Sequence, residues 1–368
     1  MKVALFANTD WYLYNFRLPL ARALRQRGNE VVLLAPPGRY AALMTQEGFR
    51  CEIFPLERKS ANPLVELGTI LRLWQWLRRE KPDLLHNFTI KPVLYGSLAA
   101  RLVGMSRVVN AVPGLGFAFS EGQSVLRVMV SVLYRISLGK SMAIFQNPED
   151  QAVFIKNRFI HPAQTRFIPG SGVDTQVFLP APEPESPPVA LFAGRFLRSK
   201  GVAEFVEAAR RLRAKGIAAR FALVGGVYLD NPDSITTQEL SAWQAEGVVE
   251  YWGWRDDMHQ VVPQSALICL PTSYKEGLPR SLLEAGACGR PVITTDIPGC
   301  RLVARPGENA LLVAPHDLDG LTKALETLLT NRALRIRMGS RGREIVESEF
   351  SVETITAKTL RVYEELDA

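Results

Sequence analysis

Short apolar runs and amphipathic stretches take turns along this chain in two series, interrupted once near its middle, and that rhythm leaves few folds open. In the first series KVALFAN (2–8) reads as a buried strand, LPLARALRQRG (18–28) as a helix closed by Gly28, and EVVLLAP (30–36) as the next strand. GRYAALMTQEG with RCEIFPL, residues 62–81 with DLLHNF, LYGSLAARLVG with SRVVNAV, and SVLRVMVSVLYRISL with MAIFQN repeat the unit. A helix between consecutive strands carries the chain back over the sheet, so the strands run parallel and both sheet faces are covered. The break is PGSGVDTQVFLPAPEPESPP (169–188), rich in Pro, Gly and Ser and without an apolar period. A second series follows, through VALFAGR, FALVGG, GVVEYWG, ALICLPT, PVITT and ALLVAP.

The expected class is therefore α/β: two Rossmann-like doubly wound domains facing a central cleft, with ligands at the carboxyl ends of both sheets. At 368 residues two domains are also the default on size. We expect residues 1–170 as the first domain, 171–188 as a linker and 189–350 as the second domain. The helix in 351–368, which closes the chain, should cross back to pack on the first.

Charge separates the halves. Residues 1–170 carry 22 Lys/Arg against 11 Asp/Glu, and residues 171–368 carry 22 against 26, a balance of +11 beside −4. Two readings stand for the basic half: contact with an anionic membrane surface, or arginines that merely solvate helix faces. The helix at 124–140 sharpens the choice without making it. Ser124, Arg127, Ser131 and Arg135 form one narrow stripe on an otherwise apolar helix, which suits an interfacial helix or one packed under a sheet. No apolar run approaches the roughly 18 residues of a spanning helix, and MKVALFANTD fits a first strand better than a signal peptide. Cys51, Cys269, Cys288 and Cys300 lie far apart without metal spacing and read as reduced thiols.

Two segments carry the chemistry. In FAGRFLRSKG, Gly194, Arg195 and Lys200 leave the end of a strand, where loops of parallel sheets bind phosphates. In EGLPRSLLEAGACGRPVITTDIP (276–298), Glu276 and Gly277 precede a helix that carries Glu284 and leads into a strand. A helix start presents unpaired N–H groups and the positive end of its dipole to an anion. Glu276 could instead serve only that dipole, and Glu284 could be a solvated helix position. Its apolar neighbours argue for a buried carboxylate in need of a partner, for which a ribose diol is suited. In the first half, His86 and Lys91 follow the strand DLL, and Arg17 stands near the start of the first helix. Each has a structural reading beside a role toward phosphate or as a catalytic group. GLGFAF (114–119) lacks the third glycine of a dinucleotide fingerprint. Asp317 and Asp319 mimic a metal-binding D-x-D but sit where a helix would be capped.

GRFLRSKG with EGLPRSLLEAGACGRPVITTDIPG resembles the donor half of retaining glycosyltransferases of the two-Rossmann (GT-B) type, family 4, and VVEYWGW and SGVDTQVF agree with this. The resemblance implies that Arg195 and Lys200 hold the diphosphate of a UDP-sugar and that Glu276 contacts the transferred sugar. Glu284 would bind the ribose, backbone at Gly277 and Leu278 would touch phosphate, and the base would lie near YWGWR, which includes Trp254. YNFRLP, HNFTIKPVLYG, GLG (114–116), DNP (230–232) and SYKEG are similar to a narrower group that acts on polyprenyl-diphosphate-linked sugars. The group includes the N-acetylgalactosaminyltransferase of bacterial N-linked glycosylation. By that likeness the acceptor is a lipid-linked saccharide bound by the first domain, with Arg17 and Lys91 as candidate contacts. The enzyme would work peripherally on the cytoplasmic face of the inner membrane. The loop NTDWYLYN (8–15) departs from the glycine-rich first loop common in the family.

The expectation is transfer of a hexose or N-acetylhexosamine with retention, by a same-face route in which the departing phosphate takes the acceptor proton. Arg195 and Lys200 would stabilise that leaving group, with His86 as a further catalytic candidate, no metal, and no cofactor beyond the donor. A UDP-sugar hydrolase or epimerase of the same fold, and a silent binding protein, are the rival readings.

Overall fold

The computed structural model describes residues 1–57, 62–112, 124–184, 187–274 and 277–366, and for 124–129 the backbone alone. It divides into two units, Met1–Ser171 with Ile355–Ala368, and Gly172–Thr354.

The first unit holds a seven-stranded sheet. Its strands are β1 (Lys2–Phe6), β2 (Glu30–Ala35), β3 (Arg50–Ile53), β4 (Leu84–Phe88), β5 (Val108–Val112), β6 (Met142–Phe145) and β7 (Thr165–Phe167). They are ordered β3-β2-β1-β4-β5-β6-β7, and every pairing is parallel. Period-two alternation sorts the side chains: Val3 and Leu5 of β1 join one core cluster, while Ala4 and Phe6 join the cluster on the opposite face. Helices α1 (Leu18–Gln26), α2 (Pro63–Glu80), α3 (Ile90–Leu102) and α4 (Ser124–Leu138) belong to this unit.

The second unit repeats the plan with β8 (Val189–Arg195), β9 (Arg220–Gly226), β10 (Glu250–Tyr251), β11 (Leu267–Leu270), β12 (Val292–Thr295) and β13 (Ala310–Val313). The order is β10-β9-β8-β11-β12-β13, again all parallel. Its helices include α5 (Val202–Ala214), α6 (Arg280–Ala287), α7 (Leu318–Thr330) and α8 (Arg332–Ile345). Asp317 caps α7 by accepting the Gly320 N–H, and Asp319 pairs with Arg211. In each sheet the chain starts at an inner strand, moves outward one way, then returns to the other side. That reversal opens a crevice at the carboxyl ends between β1 and β4, and between β8 and β11.

The stretch expected as a linker, 171–188, is folded onto the second unit over its described residues from Gly172 to Glu183. Val173 and Phe178 lie in that unit's core. Arg343 donates to the carbonyls of Thr175 and Phe178, Arg290 to those of Ala181 and Pro182, and Arg335 binds Glu183. Prolines and glycines here mask an apolar period, yet the carbonyls of Thr175, Phe178, Ala181 and Pro182 are read by arginines far along the chain. The last helix, α9 (Val352–Glu364), places Ile355, Leu360, Val362 and Tyr363 in a core cluster of the first unit.

Candidate active site

The crevice of the second unit is built by backbone before any charge is placed in it. The chain leaves β8 through Phe196–Lys200, and the chain leaving β11 runs alongside. The Ser199 carbonyl accepts from the Thr272 hydroxyl at 3.1 Å, the Ser273 N–H at 2.7 Å and the Tyr274 N–H at 2.9 Å. Gly201 seals the junction with φ +78°, and a Cβ there would overlap the Pro271 carbonyl oxygen. From the loop after β9, Asp233 accepts both the N–H and the hydroxyl of Ser199. Three strand-end loops thus fix one another.

On this frame two cations flank one ring. The Arg195 guanidinium carbon lies 5.7 Å from the centroid of Tyr274 and 5.9 Å from that of Tyr228, and Lys200 Nζ lies 5.4 Å from Tyr274. Burial, and then the charge of Arg195, push the Lys200 ammonium down to about 7. Arg195 has no carboxylate partner among the described residues. The loops thus hold two positive charges in place against the Tyr274 ring.

Around it stand the other expected donor contacts. Gly194 faces Gly225 in the β8–β9 register, and a Cβ on Gly225 (φ +137°) would overlap the Gly194 carbonyl oxygen. Gly225 donates to the Gly253 carbonyl, and Trp254 beside it is exposed, 6.4 Å from Tyr228 between centroids. Glu284 on α6 is 7% exposed and accepts from Arg280 Nε at 2.8 Å. Burial raises its carboxyl pKa and Arg280 works against the rise. The buried carboxylate foreseen from sequence therefore has a protein partner one turn before it. Leu278 packs on the core, and α6 follows Pro279, its N-cap, which supplies no side-chain hydrogen bond. Glu276 and the GLG at 114–116 lie outside the described residues.

The first unit corrects the reading of His86. It sits inside β4, 1% exposed, with Phe88 at 3.9 Å between ring centroids and Nδ1 2.5 Å from the Tyr363 hydroxyl. Burial, reinforced by the charge of Arg17, holds its pKa well below the ordinary value. It is a neutral core histidine. The DLLHNF run misled because the strand extends two residues past His86, through Phe88. Lys91 is committed as well, with Nζ 2.7 Å from Glu66 and bound to the Glu57 carbonyl. Arg17 is 5% exposed, donates to the Tyr12 hydroxyl at 3.0 Å and lies 4.5 Å from the Phe88 centroid.

Sequence reasoning missed Ser199, Asp233, Gly225, Tyr228 and Tyr274. DNP at 230–232 pointed to the loop holding Asp233 and Tyr228, and SYKEG to Tyr274, but spacing alone does not reveal which loop leans on which.

Comparison with known proteins bears on family and fold. A family model described as "Glycosyl transferase 4-like" matches residues 2–147, and one described as "Glycosyl transferases group 1" matches residues 187–331. The chain is 27% identical to the N,N'-diacetylbacillosaminyl-diphospho-undecaprenol alpha-1,3-N-acetylgalactosaminyltransferase of Campylobacter jejuni, over 99% of this chain and 98% of that one. It is 25% identical to the UDP-Gal:alpha-D-GlcNAc-diphosphoundecaprenol alpha-1,3-galactosyltransferase of Escherichia coli, over 79% and 77%. The crystal structure of Anabaena HepE in complex with UDP superposes with a TM-score of 0.80 at 18% identity, covering 99% of this chain and 100% of that one.

Proposed function

The chain belongs to the glycosyltransferases, as a hexosyltransferase of two Rossmann-like units. From that premise we propose that it moves a hexose or N-acetylhexosamine from a UDP-sugar to a saccharide carried on a polyprenyl diphosphate, with retention and without a metal. The observation that carries the reading is the pair Arg195 and Lys200, held on stapled loops around the Tyr274 ring at the crevice of the second sheet. When the sugar–phosphate bond breaks, negative charge builds on the departing diphosphate. Two fixed cations there stabilise the transition state more than the ground state.

The start of α6, with Gly277 and Leu278, offers backbone N–H groups to the same anion. Glu284 takes the ribose with its orientation fixed by Arg280, and Trp254 flanks the base. Glu276 takes sugar hydroxyls. Retention follows from a same-face route, in which the leaving phosphate accepts the acceptor proton and the protein positions both partners. No cofactor enters besides the donor substrate. Both curated relatives are named as transferases to diphosphoundecaprenol-linked sugars, which favours this reading over the hydrolase or epimerase.

The first unit then receives the acceptor while the protein rests on the anionic inner face of the membrane. Among the described residues no helix is long and apolar enough to cross a membrane. Exposed Leu102, Val132 and Ile136, beside Arg101 and Arg135, supply an apolar and basic face for peripheral contact. The test is turnover with a UDP-sugar and a polyprenyl-diphosphate saccharide. Arg195→Ala and Lys200→Ala should each lower kcat by roughly 10²–10³. Turnover within twofold of wild type in both would overturn the assignment.

A further inference from the structure

The crevice of the first sheet carries a set of groups that the fold alone does not explain. Thr89 joins β4 to α3 at φ 72° and ψ 163°. Essentially only glycine visits that region freely, and a threonine held there costs roughly 1–3 kcal/mol. The strain is not recovered as a helix cap: the Thr89 hydroxyl makes no bond to the start of α3, and its oxygen is buried without a partner. The first turn of this 13-residue helix therefore keeps its N–H groups uncapped, apart from Pro92, which has none.

Arg17 comes to the same place from the other side of the crevice, stacked on Phe88, the residue before Thr89. Its charge meets no carboxylate among the described residues. Its hydrogen bond goes to Tyr12, and Nε is buried without a partner. Leaving a buried cation uncompensated is costly. Of six buried side-chain polar atoms without partners among the described residues, three belong to Arg17, His86 and Thr89. Arg17 and Thr89 are donors, and so is His86 Nε2 when Nδ1 accepts from Tyr363. Lys91, the cation that sequence offered for this place, is bound to Glu66.

We propose that Arg17, Thr89 and the first turn of α3 form a seat for a phosphate group. On the reading given above, which this inference deepens, its occupant is the diphosphate of the lipid-linked acceptor. Thr89, Ile90 and Lys91 are only half-buried, so the seat opens to solvent on the helix side. An anion there would complete Arg17, meet the orphan N–H groups and align with the α3 dipole. The strain at Thr89 is held until that ligand arrives.

Inorganic pyrophosphate, titrated calorimetrically into protein saturated with UDP, tests the seat without requiring turnover. Wild type should bind it, Arg17→Gln should bind at least tenfold more weakly, and Thr89→Gly severalfold more weakly. Because glycine accepts φ 72°, Thr89→Gly should melt at or above the wild-type temperature, which separates a lost ligand contact from a damaged fold. In the transfer assay both variants should raise the acceptor KM about tenfold and leave the donor KM unchanged. The seat is refuted if UDP-saturated wild type takes no pyrophosphate, if Thr89→Gly keeps wild-type affinity, or if the donor KM rises instead. Wild type that binds pyrophosphate but glycosylates no lipid-linked saccharide would refute the function proposed above and leave the seat standing.

Discussion

The two sheets share one strand order, and each opens a crevice at its point of reversal, yet the two crevices are prepared in opposite ways. In the second unit the strand-end loops hold one another: the Ser199 carbonyl takes four donors, Asp233 caps Ser199, and the cations rest against Tyr274. In the first unit a strained Thr89 and a buried Arg17 leave side-chain donors unused. The second crevice suits charge that develops during a reaction, since groups that need not move stabilise a transition state at no reorganisation cost. The first suits a ligand whose binding supplies what is missing. One fold, used twice, thus separates the chemistry from the holding of a substrate.

The comparison breaks most visibly at the two strand-to-helix junctions. Gly201→Ala puts a methyl group against the Pro271 carbonyl at a φ alanine resists, so the loops after β8 and β11 must part. Arg195 and Lys200 move with them. We expect kcat to fall by roughly 10² or more, with a lower melting temperature. Thr89→Gly, at the β4–α3 junction on the edge of the first unit's crevice, should leave the fold intact. A Gly201→Ala enzyme that keeps kcat within threefold would show that the staple does not place the cations.

A smaller effect should appear in the pH dependence of the second crevice alone. With Lys200 pushed down to about 7 by burial and by Arg195, and with Cys300 also acting on it among the described residues, the free enzyme loses a phosphate-binding charge as pH rises. Donor kcat/KM should therefore fall up to tenfold per pH unit above about 7, while kcat, which reports the donor-bound enzyme, should hold to higher pH. In Lys200→Arg the decline should vanish. Stability runs the other way. The unfolded chain holds the Lys200 proton up to about pH 10.5 and the folded one releases it near 7, so this residue's penalty is full below pH 7 and is relieved between 7 and 10.5. Lys200→Met should accordingly gain roughly 1–3 kcal/mol near neutrality. A kcat/KM profile flat from pH 6 to 9 would remove Lys200 from the donor site.

Periodicity made the architecture legible, because a strand buried on both faces and a helix with one apolar stripe write different patterns. GRFLRSKG and the segment around Glu284 made the second crevice legible, since phosphate sites sit at strand ends. The sequence could not show which neighbour satisfies which group. Glu284 was read as a carboxylate in want of a ribose, although Arg280 stands four residues earlier on the same helix. The 171–188 stretch looked like a tether because its anchors, Arg290, Arg335 and Arg343, lie more than a hundred residues away. Thr89 gave no signal, because backbone strain has no residue type of its own outside glycine.

His86 supplies the smallest and most discriminating contrast. A catalytic histidine at this position would set the pH profile and would not tolerate loss of its orienting group. The observed residue is buried against Phe88, is neutral through the physiological range, and shares its hydrogen bond with Tyr363 of α9. Removing the Tyr363 hydroxyl leaves His86 Nδ1 unpaired in the core, at a cost of about 1–2 kcal/mol. Because His86 is already uncharged, the change moves no charge at either crevice. Tyr363→Phe should therefore melt a few degrees lower, keep kcat within twofold, and keep the position of the alkaline fall in kcat/KM. A tenfold loss of kcat with an unchanged melting temperature would return His86 to the chemistry and make the first crevice a reacting centre.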